Sequence, residues 1–377
     1  QGAHSGAIQD PIAPPYTMNL LSDALFRYEP MLAEYWQYLS DPCMRGFEER
    51  NPGDDMYRFL AGREYSDRTG TRPALSSSKF TGYGYVLRAE VGEEREVSVH
   101  LEQIDEGPNY RWGRAGQGGC GMIHYYAQGK RYSYNRPEDV GDDNMGDVQA
   151  CCNFGVLAGH EFKSVGRNDL TEPLYDFGFA QFAQVDAGPY SRPFYRSRSV
   201  LLSGSDYFVV YDEVGDMRVY GRFAWFVKEG EPFPDIVQLK PGAAGKPSDG
   251  GTPVDSGIRS RYGNVNGKLF DGMGNFLTLV THRKVNTDYN MYAHATEYGA
   301  KIDLQGRTDY IFRDGSQIRY RGTDYRFTGT AGIVRLYGRT KAEAALFRGS
   351  VIGALGVTVT VSGKNRSGYP RAGLSFT

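Results

Sequence analysis

From Lys79 onward the chain is a succession of short segments rich in aromatic and β-branched residues, each ended by a turn. Residues 206–213 are a clear case, because Val209, Val210 and Tyr211 stand between turn-forming Gly, Ser and Asp residues. Strands of about four to eight residues produce short segments of this kind. A helix would instead show apolar residues with a period of about 3.6 over a longer stretch. The sequence therefore predicts a mainly β protein, built as a large, supersandwich-like antiparallel β-sandwich.

The composition supports this prediction and excludes two classes of partner. The 377 residues include 49 glycines, 28 tyrosines and 20 phenylalanines, which favour strands and turns over helices. The formal net charge of -2 gives no global field that would attract a nucleic acid. Nowhere does an apolar run reach the roughly 18 residues of a membrane-spanning helix, so we expect no membrane span.

The pattern divides the chain near residue 78. Residues 1–78 are expected to form an N-terminal extended and helical segment with a linker, including two short helices within residues 20–39 that Pro30 interrupts. Residues 79–377 are expected to form the sandwich, with a subdivision near 230–272, where Gly, Pro, Ser and Asp predict loops around one or two edge strands. A slip in the alternation of residues 175–185 predicts a bulge.

The first residue, a possible glycosylation site and the cysteines indicate the cellular compartment of the protein. The chain begins at Gln1 rather than Met, so we expect that a signal peptide has been removed or that an upstream region is missing. Residues 365–367 read as a glycosylation sequon, and the four cysteines show neither a CxxC motif nor a Cys/His metal spacing. These features favour a secreted or periplasmic protein.

One polar loop and the strand after it combine groups that suit an acidic sugar. The loop offers Asn109, Arg111, Arg114 and Gln117, and the strand bears His124, Tyr125 and Tyr126. Arg, Asn and Gln donate hydrogen bonds to carboxylates and hydroxyls, while His and Tyr can transfer protons. We therefore expect the loop to bind a carboxylate and the strand to carry catalysis. Alternation places Tyr126 with His124 and puts Tyr125 on the opposite face.

Blander interpretations of the same residues stay open. A strand histidine beside two tyrosines is more often a packed or surface side chain, and an Arg/Gly loop can be a solvated turn. His160 and Glu161 could contact a sugar or form a salt bridge at the edge of a loop. The acidic residues 138–147 could bind Ca²⁺ but lack the EF-hand spacing. A glycoside hydrolase would need two carboxylates at a set separation, for which Glu138, Asp139 and Glu161 are the candidates.

Several short motifs in order resemble the C-terminal half of the heparinase II/III-like polysaccharide lyases. They are GYGYVLR at 82–88, YAQGK at 126–130, RSRSVLL at 196–202 and DYFVVYDE at 206–213. The resemblance covers about residues 73–228. It departs from the family at residues 116–121, where GQGGCG replaces a histidine-rich loop. It implies a β-sandwich that follows an α/α toroid, of which the N-terminal helical segment would be the end.

The resemblance also implies an activity and a ligand. The chain would be a polysaccharide lyase that cleaves an acidic, uronate-containing polysaccharide by β-elimination, with an upstream helical domain or self-association completing the cleft. Some relatives hold a structural Zn²⁺, so a structural zinc or calcium ion is open, although the six histidines give no evident ligand set. The alternative is a non-catalytic β-sandwich that binds glycan or builds an extracellular assembly.

Overall fold

A computed structural model describes most of the chain beyond residue 75. The described residues are 28–34, 75–80, 84–103, 120–135, 152–158, 161–164, 168–169, 173–187, 194–243, 246–248, 252–254, 259–260, 263–286, 291–314, 318–321, 325–338, 341–364 and 370–376. Residues 76–377 form one compact unit and residues 2–75 form a second.

Helical structure in the described part of residues 2–75 is a single short turn over residues 30–34. Pro30 is its first residue, a position where the missing N–H costs nothing. The backbone N–H of Ala33 donates to the carbonyl of Glu29 at 3.0 Å, and the Ala33 side chain is buried. The other residues of the two expected helices lie outside the described part of the chain. Among the described residues, no helix combines the length and apolar character that crossing a lipid bilayer requires.

The larger unit is built from strands. The first thirteen in the described residues are β1 (Ser78–Phe80), β2 (Gly84–Ala89), β3 (Val97–Gln103), β4 (Cys120–Ala127), β5 (Lys130–Arg131), β6 (Phe154–Ala158), β7 (Glu161–Ser164), β8 (Asn168–Asp169), β9 (Tyr175–Asp176), β10 (Ala180–Ala187), β11 (Tyr195–Ser203), β12 (Tyr207–Val214) and β13 (Tyr220–Lys228). The remaining ones are β14 (Asp235–Ala243), β15 (Lys246–Ser248), β16 (Thr252–Val254), β17 (Arg259–Ser260), β18 (Gly263–Met273), β19 (Phe276–Thr281), β20 (Met291–Thr296), β21 (Gly299–Leu304), β22 (Arg307–Phe312), β23 (Ile318–Arg321), β24 (Tyr325–Tyr337), β25 (Lys341–Ala354), β26 (Val357–Lys364) and β27 (Pro370–Phe376).

These strands form four sheets whose neighbours pair antiparallel. The first sheet has the order β1-β2-β3-β4-β5, and the central sheet has the order β15-β14-β19-β12-β11-β10-β8, with β9 beside β10. The third sheet has the order β16-β18-β13-β6-β7, with β17 beside β18. The fourth sheet has the order β20-β21-β22-β24-β25-β26-β27, with β23 beside β24.

The central sheet is buried on both faces. Strand β12 alternates, so Phe208 and Val210 enter one hydrophobic cluster while Val209 and Tyr211 enter another. The first cluster joins the central sheet to the first and third sheets, and the second joins it to the fourth sheet. Each fully buried side chain of this kind contributes about 1.5–3 kcal/mol. Burial on both faces explains why β12 is an almost continuous apolar run. The predicted mainly β, antiparallel sandwich is confirmed.

Two details of the sandwich differ from the expectations. Strands β14 and β18, in the region expected as loops and edge strands, both lie inside their sheets. Glycine serves packing there, because a Cβ on Gly267 would overlap the ring of Phe226. The slip within 175–185 is a tight turn between β9 and β10 rather than a bulge, closed by a 3.0 Å hydrogen bond from Phe177 N–H to the Ala180 carbonyl.

Candidate functional site

The face of the first sheet that points away from the hydrophobic core carries polar side chains. Strands β3 and β4 alternate, so Val99, Leu101, Ile123 and Tyr125 enter the core, whereas His100, Glu102, His124 and Tyr126 face the other way. His100 and His124 are direct cross-strand partners, and Glu102 lies one pleat along β3. The register of the hairpin therefore brings two imidazoles and a carboxylate together.

His100, Glu102 and His124, called here the histidine cluster, are in close contact. His124 Nε2 and Glu102 Oε2 are 2.6 Å apart, and the two imidazole rings stack with centroids 5.3 Å apart at an interplanar angle of 21°. The exposed fractions of His100, Glu102 and His124 are 7%, 6% and 4%. A buried carboxylate is costly unless it is hydrogen-bonded or paired, so the Glu102–His124 contact holds both side chains in place.

Asn135 determines the tautomer of His124. Its amide Nδ2 donates to the Ile123 carbonyl at 2.8 Å, and its Oδ1 accepts from the Cys152 backbone N–H at 2.6 Å. These two bonds fix the amide orientation, so Nδ2 faces His124 Nδ1 at 3.4 Å. Because an NH₂ group faces Nδ1, that nitrogen is the acceptor and Nε2–H donates to Glu102. Both ring nitrogens of His124 are thus engaged.

Tyr126 lies on the same face in a more open place. Its cross-strand partner is Arg131, whose Nε contacts both oxygens of Glu231 at 2.9 Å. Lys130, Arg131, Gly230, Glu231 and Pro232 line an open groove of about 620 Å³. Tyr126 does not line it but hydrogen-bonds to Arg131, so the groove is called here the Tyr126 groove. Burial raises the pKa of Tyr126, and the charge of Arg131 offsets part of that rise. Tyr126 is therefore a protonated phenol near neutral pH, able to donate a proton.

Tyr125 lies in the core, on the opposite face of β4. Its hydroxyl is 2.8 Å from His282 Nδ1 and accepts a hydrogen bond from the His282 backbone N–H at 3.0 Å. Burial raises the pKa of Tyr125, and burial together with Arg283 lowers the pKa of His282. Both side chains are therefore neutral near neutral pH, and they join the first sheet to the end of β19.

The other predicted site residues fall at or beyond the limits of the described chain. Those outside it are Asn109, Arg111, Arg114, Gln117 and His160. Glu161 begins β7, where it pairs with Ala158, and only its backbone is described. The structure thus brings His124 and Tyr126 to one face of one strand and leaves their relation to the loop residues as a prediction.

Three members of this face were not predicted from the sequence. His100, Glu102 and Asn135 surround His124, yet no motif marks them. The available signal was His-Leu-Glu at 100–102, because two-residue spacing on a strand puts His and Glu on one face. Within the described residues, the histidine cluster is the group of His and acidic side chains whose donor atoms converge enough to hold a metal ion.

Comparison with known proteins finds a similarity to solved structures. No protein-family model matches the chain, and no curated protein matches it. Among solved structures, the chain is similar to the heparan sulfate lyase HepC from Pedobacter heparinus, with a TM-score of 0.43 and 12% identity over 81% of this chain and 47% of that one. A heparinase III, the BT4657 gene product, gives 0.42 and 13% over 81% and 47%.

A third structure, of heparinase III, has a TM-score of 0.45 and 10% identity over 83% of this chain and 49% of that one. The chain therefore spans about half the length of these lyases. Similarity at this level is confined to the arrangement of strands and says nothing about activity.

Proposed function

We propose that this chain is the sandwich part of a polysaccharide lyase that cleaves a uronate-containing polysaccharide by β-elimination. The observation that carries the proposal is an open groove lined by Arg131 and Glu231, together with the side-chain hydrogen bond between Tyr126 and Arg131. β-Elimination needs a cation at the sugar carboxylate, a base for the C5 proton and an acid for the leaving oxygen. The Tyr126 groove offers one group for each role.

Arg131 and Lys130 are the proposed carboxylate-binding groups. Arg131 already holds the carboxylate of Glu231 through Nε, so its fork is oriented for a second carboxylate of the same geometry. Pairing the C6 carboxylate of a uronate with this cation makes the C5 proton more acidic. A sugar carboxylate that pairs with Arg131 displaces the carboxylate of Glu231 from it. The freed Glu231 is the group that we assign as the base.

Tyr126 is the proposed acid. Because burial raises its pKa, the phenol keeps its proton near neutral pH. The C5–H bond breaks as Glu231 takes the proton, the C4–C5 double bond forms, and the C4–O bond breaks as the leaving oxygen receives the Tyr126 proton. Arg131 then lies beside the developing phenolate and stabilises its charge.

The remaining predicted residues receive supporting roles in this proposal. His124 is buried and engaged at both ring nitrogens, so we assign it to holding β4 rather than to moving a substrate proton. Tyr125 supports the same strand from the core through His282. Further sugar contacts are proposed for Asn109, Arg111, Arg114, Gln117, His160 and Glu161. A polymeric substrate of this kind places the protein in a secreted or periplasmic location.

A pair of tyrosine substitutions tests the assignment. Tyr126→Phe removes the hydroxyl and keeps the ring, so we expect about a 10²–10⁴-fold fall in the rate at which unsaturated uronate ends form. Tyr292→Phe, on an exposed tyrosine of β20, is the matched control and leaves the rate unchanged. Equal rates for both variants would contradict the role of Tyr126. Binding of a uronate polymer without any product would favour the glycan-binding alternative.

A further inference from the structure

We infer that the contact between Tyr125 and His282, called here the Tyr125 latch, holds the first sheet to the end of β19 and opens in mild acid when His282 takes up a proton. Tyr125 comes from β4, and His282 directly follows β19, 157 positions further along the chain. The Tyr125 side chain is buried, whereas His282 is only partly buried and within reach of protons from water. The inference is independent of the proposed lyase reaction, because the latch uses neither the acid nor the base of the Tyr126 groove.

The hydrogen bonds of the latch determine the tautomer of His282. The Tyr125 hydroxyl accepts from the His282 backbone N–H at 3.0 Å and lies 2.8 Å from His282 Nδ1. Because a backbone N–H can only donate, the hydrogen of the hydroxyl itself is directed to Nδ1, which is the acceptor. The proton of the neutral imidazole is therefore on Nε2, 3.3 Å from the side-chain amide of the exposed Gln128. That amide can turn its oxygen toward Nε2–H.

A second proton on His282 breaks this arrangement. The imidazolium carries a hydrogen on Nδ1 as well, so two donors face each other across 2.8 Å. The hydroxyl must then turn its hydrogen toward the rings of Phe208 and Tyr132, whose centroids lie 4.9 and 5.3 Å from that of Tyr125. A buried hydroxyl hydrogen directed at carbon is unfavourable, so separation of Tyr125 from His282 becomes the better state. Both tyrosines keep their protons in this range, because burial raises the pKa of each.

The charged groups around His282 favour its neutral form in the closed latch. Burial lowers the pKa of His282, and the positive charge of Arg283 lowers it further. Arg95, from the turn between β2 and β3, acts in the same direction, whereas Asp206, from the turn between β11 and β12, raises the pKa. The closed latch therefore resists a proton that the open latch accepts more readily.

The nearby carboxylates are already engaged with arginines. Asp206 contacts Arg283 at 2.7 Å through one oxygen and Arg307 at 2.7 Å through the other. Glu90 pairs with Arg95 at 3.0 Å. Neither carboxylate is thus placed to receive an imidazolium without giving up a guanidinium, and the proton on His282 has no cheap compensation.

The sign of the pH dependence follows from these contacts. Histidine in an unfolded chain takes up its proton near about pH 6.5, and in the closed latch the pKa of His282 lies lower. The stability that the latch contributes is therefore complete above about pH 7. It is lost as the pH falls through about 6.5 toward the folded pKa.

Denaturant unfolding of the full chain at about pH 7.5 and about pH 5.5 tests the inference. His282→Asn keeps an acceptor near the position of Nδ1 but takes up no proton. Between the two pH values, the equilibrium constant for unfolding should rise about three- to tenfold more in the unchanged chain than in His282→Asn, since His282 is only partly buried. His294→Asn, the same substitution at an exposed histidine of β20, should keep the pH dependence of the unchanged chain. His100 and His124 are present in all three chains, so their contributions cancel.

NMR of the unchanged chain gives a result that depends on no variant. The His282 imidazole should begin to titrate only below about pH 6.5, and the hydrogen-exchange protection of the β4 amides should fall about three- to tenfold over the same range, after correction for the intrinsic exchange rate. Titration of His282 at or above pH 6.5, constant protection of β4, or equal pH dependence of unfolding in the unchanged chain and a folded His282→Asn would each overturn the inference.

Discussion

The buried ion pair of Arg198 and Asp212 joins the central sheet to β4, the strand that carries His124. Arg198 Nε and Nη2 donate to the two oxygens of Asp212 at 2.7 and 3.0 Å, and Tyr195 also donates to Asp212. Arg198 Nη1 donates to the carbonyl of Gly121, the second residue of β4. Both charged side chains are essentially inaccessible to water. We predict that Asp212→Asn strongly destabilises the fold.

The magnitude follows from what the substitution leaves behind. Asparagine keeps one oxygen for Tyr195 and Arg198, but it turns an NH₂ group toward the other Arg198 donor and removes the compensating charge. An unpaired buried charge of this kind costs about 3–5 kcal/mol. For a unit of this size, that corresponds to a fall of roughly 5–8 °C in the unfolding temperature.

Thermal unfolding followed by circular dichroism measures this change. The matched control is Asp216→Asn, which makes the same substitution in the exposed pair with Arg218 and should leave the unfolding temperature unchanged. Replacing both buried partners, as Arg198→Met with Asp212→Leu, should restore much of the loss because no buried charge is then left unpaired. Equal unfolding temperatures for Asp212→Asn and Asp216→Asn would refute the reasoning.

Two further predictions concern the fold. Gly299→Ala should lower the free energy of unfolding in denaturant by about 2–4 kcal/mol, because φ is 142° and a Cβ would overlap the Ile311 carbonyl. Gly338→Ala is the control: its φ is 59° and a Cβ would lie in open space, so it should cost only about 1 kcal/mol. Equal losses in the two variants would contradict the packing argument. Burial raises the pKa of Tyr195 and Tyr207 well above 10.0, so the contribution of these tyrosines to the free energy of unfolding is complete below about pH 10. Above about pH 10 the free energy of unfolding should fall by about 1.4 kcal/mol per pH unit for each of the two tyrosines. The phenolate absorbance of Tyr195 and Tyr207 should then appear only with unfolding, and a full titration of every tyrosine near pH 10.0 in the folded chain would contradict this.

The strand pattern predicted the fold because alternation and turn residues are local signals. Val209, Val210 and Tyr211 indicate a buried strand whichever strands lie beside it. The glycines of residues 230–272 led to a wrong prediction of loops. Gly267, for example, allows close packing against Phe226 and does not form a turn. That role depends on which strand lies opposite, which a single sequence does not encode locally.

The candidate site was predictable only in part for the same reason. Alternation correctly separates Tyr125, which enters the core, from the face that carries His124 and Tyr126. The partners of His124 come from the register of β3 against β4 and from a residue beyond β5. Arg131 and Glu231 are 100 positions apart in the sequence, so no local motif could predict their contact.

Product analysis tests the central claim, that the Tyr126 groove supports β-elimination on a uronate polymer. The purified chain is incubated with uronate-containing and neutral polysaccharides, and products are followed by ultraviolet absorbance and mass spectrometry. We expect unsaturated uronate ends, one water lighter than hydrolysis products, from the acidic polymer alone. These products should be lost in Tyr126→Phe and retained in Tyr292→Phe. Saturated products from the acidic polymer, or unsaturated products formed equally by Tyr126→Phe, would contradict it.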